Sequence, residues 1–267
     1  TLLLFELQAQ SKKKFIQEVQ DYQNSVKLKH WKTGDNITGK LSFDIDTTTF
    51  SLSAYLSHFN KLRLPENAAP EYIFMDNSLD GSPILYVIKD HSEIQEFYER
   101  RMKEYFPKND TSSLSEEVKA WHKKVALIGF ASDSLNNLRF NMTPENSKSG
   151  FLQYLFMNNH GEKFGLKWHS NYGLSYVITS KKELRKYFDM YYNEIFEIGQ
   201  AGLDSLINLI PTMKIRMKKE KCIITWCEFS PFSGYMRFMY SIERFAPYRI
   251  NLENKKLLVG VTPTIVF

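Results

Sequence analysis

The stretch ILYVIKDHSEIQEFY, residues 84–98, decides how the chain is read. Its first five residues are apolar and include three that are β-branched, the pattern of a buried strand. Beyond Lys89-Asp90 the spacing changes. Ile94, Phe97, Tyr98, Met102 and Tyr105 recur three or four residues apart, which places them on one face of a helix. Pro107 stops that helix, because proline has no amide hydrogen and its ring clashes with the preceding turn. A strand that turns straight into a helix belongs to a layered fold, in which the helix covers the strand's apolar face.

The same joint recurs as LSYVITSKKELRKYF at 174–188. Tyr86, Val87, Ile88 and Glu93 reappear unchanged as Tyr176, Val177, Ile178 and Glu183, while Ile94, Phe97 and Tyr98 reappear in kind as Leu184, Tyr187 and Phe188. Two weaker matches set SGFLQYLF (149–156) over SGYMRFMY (233–240), and EVQDY (18–22) over EVKAW (117–121). Fixed-offset similarity predicts a repeated module. The expected class is therefore α+β, with antiparallel sheets covered by helices in tandem units of one helix and about four strands. The units fall at 11–107, 108–198 and, in part, 199–267, after a separate opening segment 1–10.

Working outward, helical spacing begins at Ser11 as N-cap and runs through Phe15, Ile16, Val19, Tyr22 and Val26. LSFDI (41–45) and FSLSAYL (50–56) alternate as strands do, and YIFM (72–75) pairs with ILYVI (84–88) as a hairpin across DNSLDGSP. EEVKAWHKK reads as a short helix. VALIGFA (125–131), LRFNM (138–142), GFLQYLF (150–156), KFGLKW (163–168) and LSYVI (174–178) read as strands. KKELRKYFDMYYNEIF (181–196) and LDSLINLI (203–210) read as helices, the second ended by Pro211. MKIRMKK, CIITWCEF, YMRFMYSI, YRINL and LLVGV close the chain as strands.

Composition sets wide bounds. Of 267 residues 43% are hydrophobic and 24% charged, which excludes wholesale disorder. Aromatics reach 15%, and they favour pleated, half-buried surfaces. The net charge of +5 and a pI near 8.9 fall just short of the value that marks a dedicated nucleic-acid binder. No apolar run is long enough for a membrane-spanning helix. The two cysteines, Cys222 and Cys227, stand five apart in CIITWC. On a strand that spacing is roughly 17 Å and puts them on opposite faces, so they are expected as separate buried thiols.

The opening run of Leu2, Leu3, Leu4, Phe5 and Leu7, followed by Gln8-Ala9-Gln10-Ser11, fits the end of an export signal cleaved after Ala9 or Gln10. Glu6 inside the run argues against it. The corresponding expectation is a periplasmic or secreted protein, with a cytoplasmic one as the alternative.

Several stretches resemble sites and fall short on inspection. Asp76, Ser78, Asp80 and Gly81 match the front of a calcium loop, but Val87 stands where the closing carboxylate belongs, so a hairpin turn accounts for them. Ser132, Asp133 and Ser134 in GFASDS lack the glycine spacing of a nucleophile elbow. His160 and His169 could approach one site across a hairpin, and His160-Gly161-Glu162 has the order of a deaminase motif, yet no cysteine pair completes a zinc set. No cofactor and no metal are expected. Lys214, Arg216 and Lys218 alternate with Met213, Ile215 and Met217, and with Lys221 they form a possible anion-binding strand face. Lys12, Lys13 and Lys14 form a second, shorter basic run.

Three functions fit these residues. The favoured one is a non-catalytic interaction or assembly protein, exported or envelope-associated, whose repeated sheet surfaces bind another protein or an envelope component. The second is an enzyme of hydrolase type whose site assembles from distant residues. The third is a binder of nucleic acid or another polyanion through the basic strand face.

Overall fold

The computed structural model describes residues 2–33, 46–75, 81–105, 114–166, 173–197, 213–260 and 262–263. Helix α1 (Leu2–Thr33) is followed by a 3-10 turn (Thr47–Thr49), α2 (Leu52–Ser57), β1 (Leu62–Arg63) and the hairpin β2 (Ala69–Phe74) and β3 (Pro83–Ile88). Then come α3 (Ser92–Tyr105), α4 (Glu116–Ser132), α5 (Leu138–Asn141), β4 (Thr143–Pro144), α6 (Lys148–His160), β5 (Tyr176–Ile178), α7 (Lys181–Ile195) and β6 (Phe196–Glu197). The chain closes with β7 (Lys214–Met217), β8 (Lys221–Ser230), β9 (Gly234–Glu243), β10 (Ile250–Val259) and β11 (Thr262–Pro263). Helices and antiparallel sheets make this an α+β fold.

The ten-residue strand β8 organises the main sheet. It pairs along its whole length with β9, which pairs with β10. On its other edge β8 is shared. β7 pairs with its first half, with Met217 opposite Cys222, and β5 with its second, with Tyr176 opposite Phe229. Because side chains alternate along a strand, β8 feeds two cores. Cys222, Ile224 and Trp226 enter the main core with α1 and α6, while Cys227 and Phe229 pack with Leu184, Tyr187 and Phe188 of α7. The cysteines are free, buried and on opposite faces, as their spacing predicts.

Helix α1 buries Phe15, Ile16, Val19 and Val26, and its buried stripe also carries amides. Gln20 accepts from Val177 N at 2.7 Å and donates to Val177 O at 3.1 Å, so its side chain serves the outer edge of β5 as a neighbouring strand would. The helix is continuous from Leu2, so Ser11 lies inside it and is not its cap.

Helix α6 is buried on every side from Gly150 to Met157. That explains the largest departure from the sequence reading, which has GFLQYLF as a strand. A helix enclosed all round carries no polar face, so its sequence shows an apolar run, interrupted here only by the buried Gln153, and no helical period. The informative residues are Ser147, whose hydroxyl caps Gly150 N at 3.0 Å, and the lack of any β-branched side chain from 150 to 160. VALIGFA fails as a strand for a different reason, since its buried residues, Ala126, Phe130 and Ala131, keep helical spacing. It is the second half of α4, begun by the Ser115 cap and by Glu116 and Glu117 in its first turn. FSLSAYL and LRFNM are short helices capped by Ser51 and Asn137, and the alternation in FSLSAYL arises from its caps. Residues 163–166 of KFGLKW have no regular structure, and YRINL and LLVGV are two ends of the single strand β10. LSFDI and LDSLINLI lie outside the described residues.

The strand–helix joint at 84–98 recurs in structure, as β3–α3 and again as β5–α7. The second match does not recur, since SGFLQYLF is in α6 and SGYMRFMY enters β9 at Gly234. Between 114 and 197 the described residues form four helices and three short strands, not one helix and four strands. The main core also draws on all three expected units, from Phe15 through Leu155 to Ile242.

Candidate functional site

Arg244 sits at the junction of three segments. Its backbone N donates to Glu220 O at 2.9 Å, its Nη1 to Lys218 O at 2.6 Å and Lys219 O at 3.1 Å, and its Nε to Asn146 Oδ1 at 3.1 Å. It thereby ties the β7–β8 turn and the β9–β10 turn to the entry of α6. A lysine could not do this, because the contacts need a planar fork with several donors.

Around this junction two basic runs, distant in sequence, meet. Arg244, Lys148 and Lys12 all lie close enough to Cys222 to act on its thiol. Burial pushes that thiol up to about 11 in spite of them, so it stays protonated near neutral pH. Lys12 feels burial first and then the like charge of Lys148, and both pull its pKa below the usual lysine value. Beside it opens a recess of about 250 Å³ lined by Lys12, Lys14, Phe15, His58, Lys61 and Ser149, among others. Gln153 positions one wall: it accepts from Lys61 N at 2.7 Å and donates to Asn60 Oδ1 at 3.2 Å. Lys61 pairs with Glu145, and Lys14 with Glu18. Lys12, Lys148, Lys218 and Lys219 form no ion pair among the described residues.

The β9–β10 turn adds an aromatic to this end. Phe245 is 63% exposed, although it is flanked by folded chain on both sides. Tyr248, at φ 56°, turns the backbone so that its N donates to Phe245 O at 2.9 Å. Its ring packs edge-on against Tyr154 of α6, with centroids 6.1 Å apart. The turn is thus anchored through Tyr248 and Arg244 while Phe245 points outward.

Of the basic strand face, Lys214 and Arg216 are exposed opposite Thr225 and Ile223, and Met213, Ile215 and Met217 pack on the core, as the alternation predicts. Lys218 lies in the turn beside Arg244, where its N donates to Lys221 O at 2.8 Å. Lys221 is engaged with Glu253 at 3.7 Å. The sequence reading misses Arg244, Lys148 and Phe245 altogether, since none belongs to a charge run.

A second polar cluster lies at the far end of β8. Glu228 Oε1 accepts from Trp226 Nε1 at 2.8 Å and lies 3.3 Å from His160 Nε2. Burial pushes its carboxyl up, but His160, Lys163 and a bond from Ser175 outweigh that and hold it at about 2. A cleft of about 440 Å³ opens beside it, lined by Lys163, Ser230, Phe238 and Tyr240 among others. The order of groups differs from that of a serine–histidine–acid triad. Both His160 and Ser175 bond to the carboxylate, so His160 does not stand between the acid and a hydroxyl as it does in such a triad. Glu228 joins α6, the segment before β5 and β8 in one buried network. Glu162, from the same His-Gly-Glu run, is used elsewhere, accepting from Leu85 N at 2.8 Å and pairing with Arg139 at 3.0 Å.

No family model, no curated protein and no solved structure matches this chain.

The remaining sequence candidates do not form sites. Asp76, Ser78 and Asp80 lie outside the described residues, and Val87 is a buried residue of β3. Ser132 ends α4, so GFASDS follows a helix and not a strand, and Asp133 caps the turn by accepting from Leu135 N at 2.9 Å. His169 is outside the described residues. Among those residues no group of three or more metal-ligating side chains converges, and no helix is long and apolar enough to cross a membrane.

Proposed function

We propose that the protein binds single-stranded nucleic acid at the end built around Arg244. The observation that carries this reading is an exposed aromatic, Phe245, next to Arg244, whose guanidinium holds the carbonyls of Lys218 and Lys219, two lysines that form no ion pair among the described residues. A single strand needs both elements: cations along its phosphates, and a ring on which a base can stack. Lys218 and Lys219 are tied to the residue before Phe245 through Arg244, and the recess of about 250 Å³ beside Lys12 adds Lys61 and Lys14, the latter paired with Glu18 in its wall. The favoured sequence reading, docking of a protein partner, lacks a comparable chemical signature at this end.

Fluorescence anisotropy with a labelled oligothymidylate and oligouridylate tests the reading. Phe245→Ala is expected to weaken binding about 5- to 100-fold, the range for losing one stacked base. Lys218→Glu with Lys219→Glu is expected to abolish it at moderate salt. Equal binding by all variants, or stronger binding to duplex or to phosphatidylserine vesicles than to single strands, overturns the proposal.

A further inference from the structure

The cleft of about 440 Å³ at the far end of β8 has the size of a small-molecule site. One face of the sheet forms its floor. Glu228 of β8 pairs with Met236 of β9, and side chains alternate, so Glu228, Met236, Phe238 and Tyr240 all point to this side. The end of α6 contributes Asn159, and the β8–β9 turn contributes Ser233. Leu174, just before β5, completes the apolar part of the lining.

The charges around the cleft are already engaged. Glu228 accepts from Trp226 Nε1, lies 3.3 Å from His160 Nε2 and takes a bond from Ser175, and Lys163 is close enough to favour its ionised form. The Lys255 ammonium lies 5.5 Å from the centroid of the Phe238 ring, so that ring's cation site is filled. An anion entering the cleft meets the ionised Glu228, and a cation meets Lys163 and Lys255, so neither is favoured. What stays open is neutral. The side chains of Asn159, Ser233 and Tyr240 make no hydrogen bond among the described residues. An amide and two hydroxyls can each both donate and accept. Burial first, and then the charge of Glu228, push the Tyr240 hydroxyl well above the usual tyrosine value, so it remains a donor. Met236, Phe238 and Leu174 add a narrow apolar strip, each less than a tenth exposed.

We propose that this cleft binds a neutral, polyhydroxylated ligand: a single sugar ring, free or at the end of a chain. A sugar ring carries hydroxyls that both donate and accept, and C–H groups that can rest on the apolar strip. A purely apolar ligand would strip water from Asn159, Ser233 and Tyr240 without replacing its bonds. A zwitterion would need an open carboxylate, and Glu228 already has three partners. The cleft lies at the opposite end of β8 from Arg244, so this inference does not rest on nucleic-acid binding.

Saturation-transfer-difference NMR on the full chain, titrated in turn with D-glucose, D-galactose, D-mannose and N-acetyl-D-glucosamine, reads the binding. At least one of them is expected to bind in the millimolar range. Tyr240→Phe with Asn159→Ala removes two neutral groups and leaves the charged network in place. It should weaken binding about tenfold, the loss of two hydrogen bonds of ordinary strength, with far-ultraviolet circular dichroism confirming the fold. Sodium phosphate and glycine should not displace the sugar, and neither should oligothymidylate. Transfer to none of the four sugars, unchanged affinity in the double variant, or displacement by phosphate, glycine or oligothymidylate each overturns the inference.

Discussion

Arg244 Nε donates to Asn146 Oδ1 at 3.1 Å, across 98 residues of sequence, and the same guanidinium holds the carbonyls of Lys218 and Lys219. This one side chain sets the shape of the basic end. Arg244→Ala leaves two carbonyls and an amide to bond to water and is expected to lower stability by about 0.5–1.5 kcal/mol. Arg244→Lys keeps the charge and loses the fork, so most of that cost should remain. Urea denaturation of both variants checks the size of the effect, and near-equal stability of Arg244→Lys and wild type would show that charge alone matters.

Gly150 is required by contact and not by backbone angle. A Cβ there would collide with the backbone of Glu145, at the point where α6 starts. Gly150→Ala is expected to cost about 1–3 kcal/mol, the usual range for overpacking. It should also disturb Lys148 and Ser149, which share that turn. Thermal melting measures the first effect. An alanine variant as stable as wild type would mean that the entry of α6 yields easily.

Glu228 makes stability depend on acid. Its carboxyl is held at about 2 in the fold, below the 4.5 of a free glutamate. A depressed carboxyl stabilises the fold above the unfolded value and loses that contribution as pH falls toward the folded one. The expected loss between pH 5 and pH 2 is on the order of 3 kcal/mol, because each tenfold change in proton affinity is worth about 1.4 kcal/mol. Chemical denaturation across that range should show it, and Glu228→Gln should flatten the profile. An unchanged profile in the variant would assign the acid sensitivity to other carboxylates.

Cys222 and Cys227 are both fully buried, and burial raises the Cys222 thiol to about 11. Neither should react with a thiol reagent in the native protein at pH 8, and both should react after unfolding. The raised thiol also favours the fold below pH 9, an advantage that fades as pH climbs toward 11. Rapid labelling of one native thiol would show that its side of β8 opens.

The legible part of this chain is where the residue pattern changes or alternates. The joints β3–α3 and β5–α7 are readable because short, largely β-branched runs, buried throughout, give way to helices with a three- and four-residue apolar spacing, and β7 and the first half of β8 because their exposed and buried residues alternate. The illegible part is the interior. Helix α6 presents an apolar run whose period is erased by burial, and the second half of α4 a short apolar run in which only Ala126, Phe130 and Ala131 are buried, so both pass for strands. The site is half legible for a different reason. Lys12–Lys14 and Lys214–Lys221 stand out as charge runs, but their meeting depends on Arg244, Asn146 and Lys148, single residues whose role arises only from the packing of two turns on α6.

The most direct measurement of the central claim is the salt dependence of binding to a labelled single-stranded oligonucleotide. If the basic end engages about four phosphates, log K should fall against log salt with a slope on the order of −3. Phe245→Ala should shift that line down without changing its slope, and Lys218→Glu with Lys219→Glu should make it shallower. No binding at about 50 mM salt, or a flat line, would contradict the account.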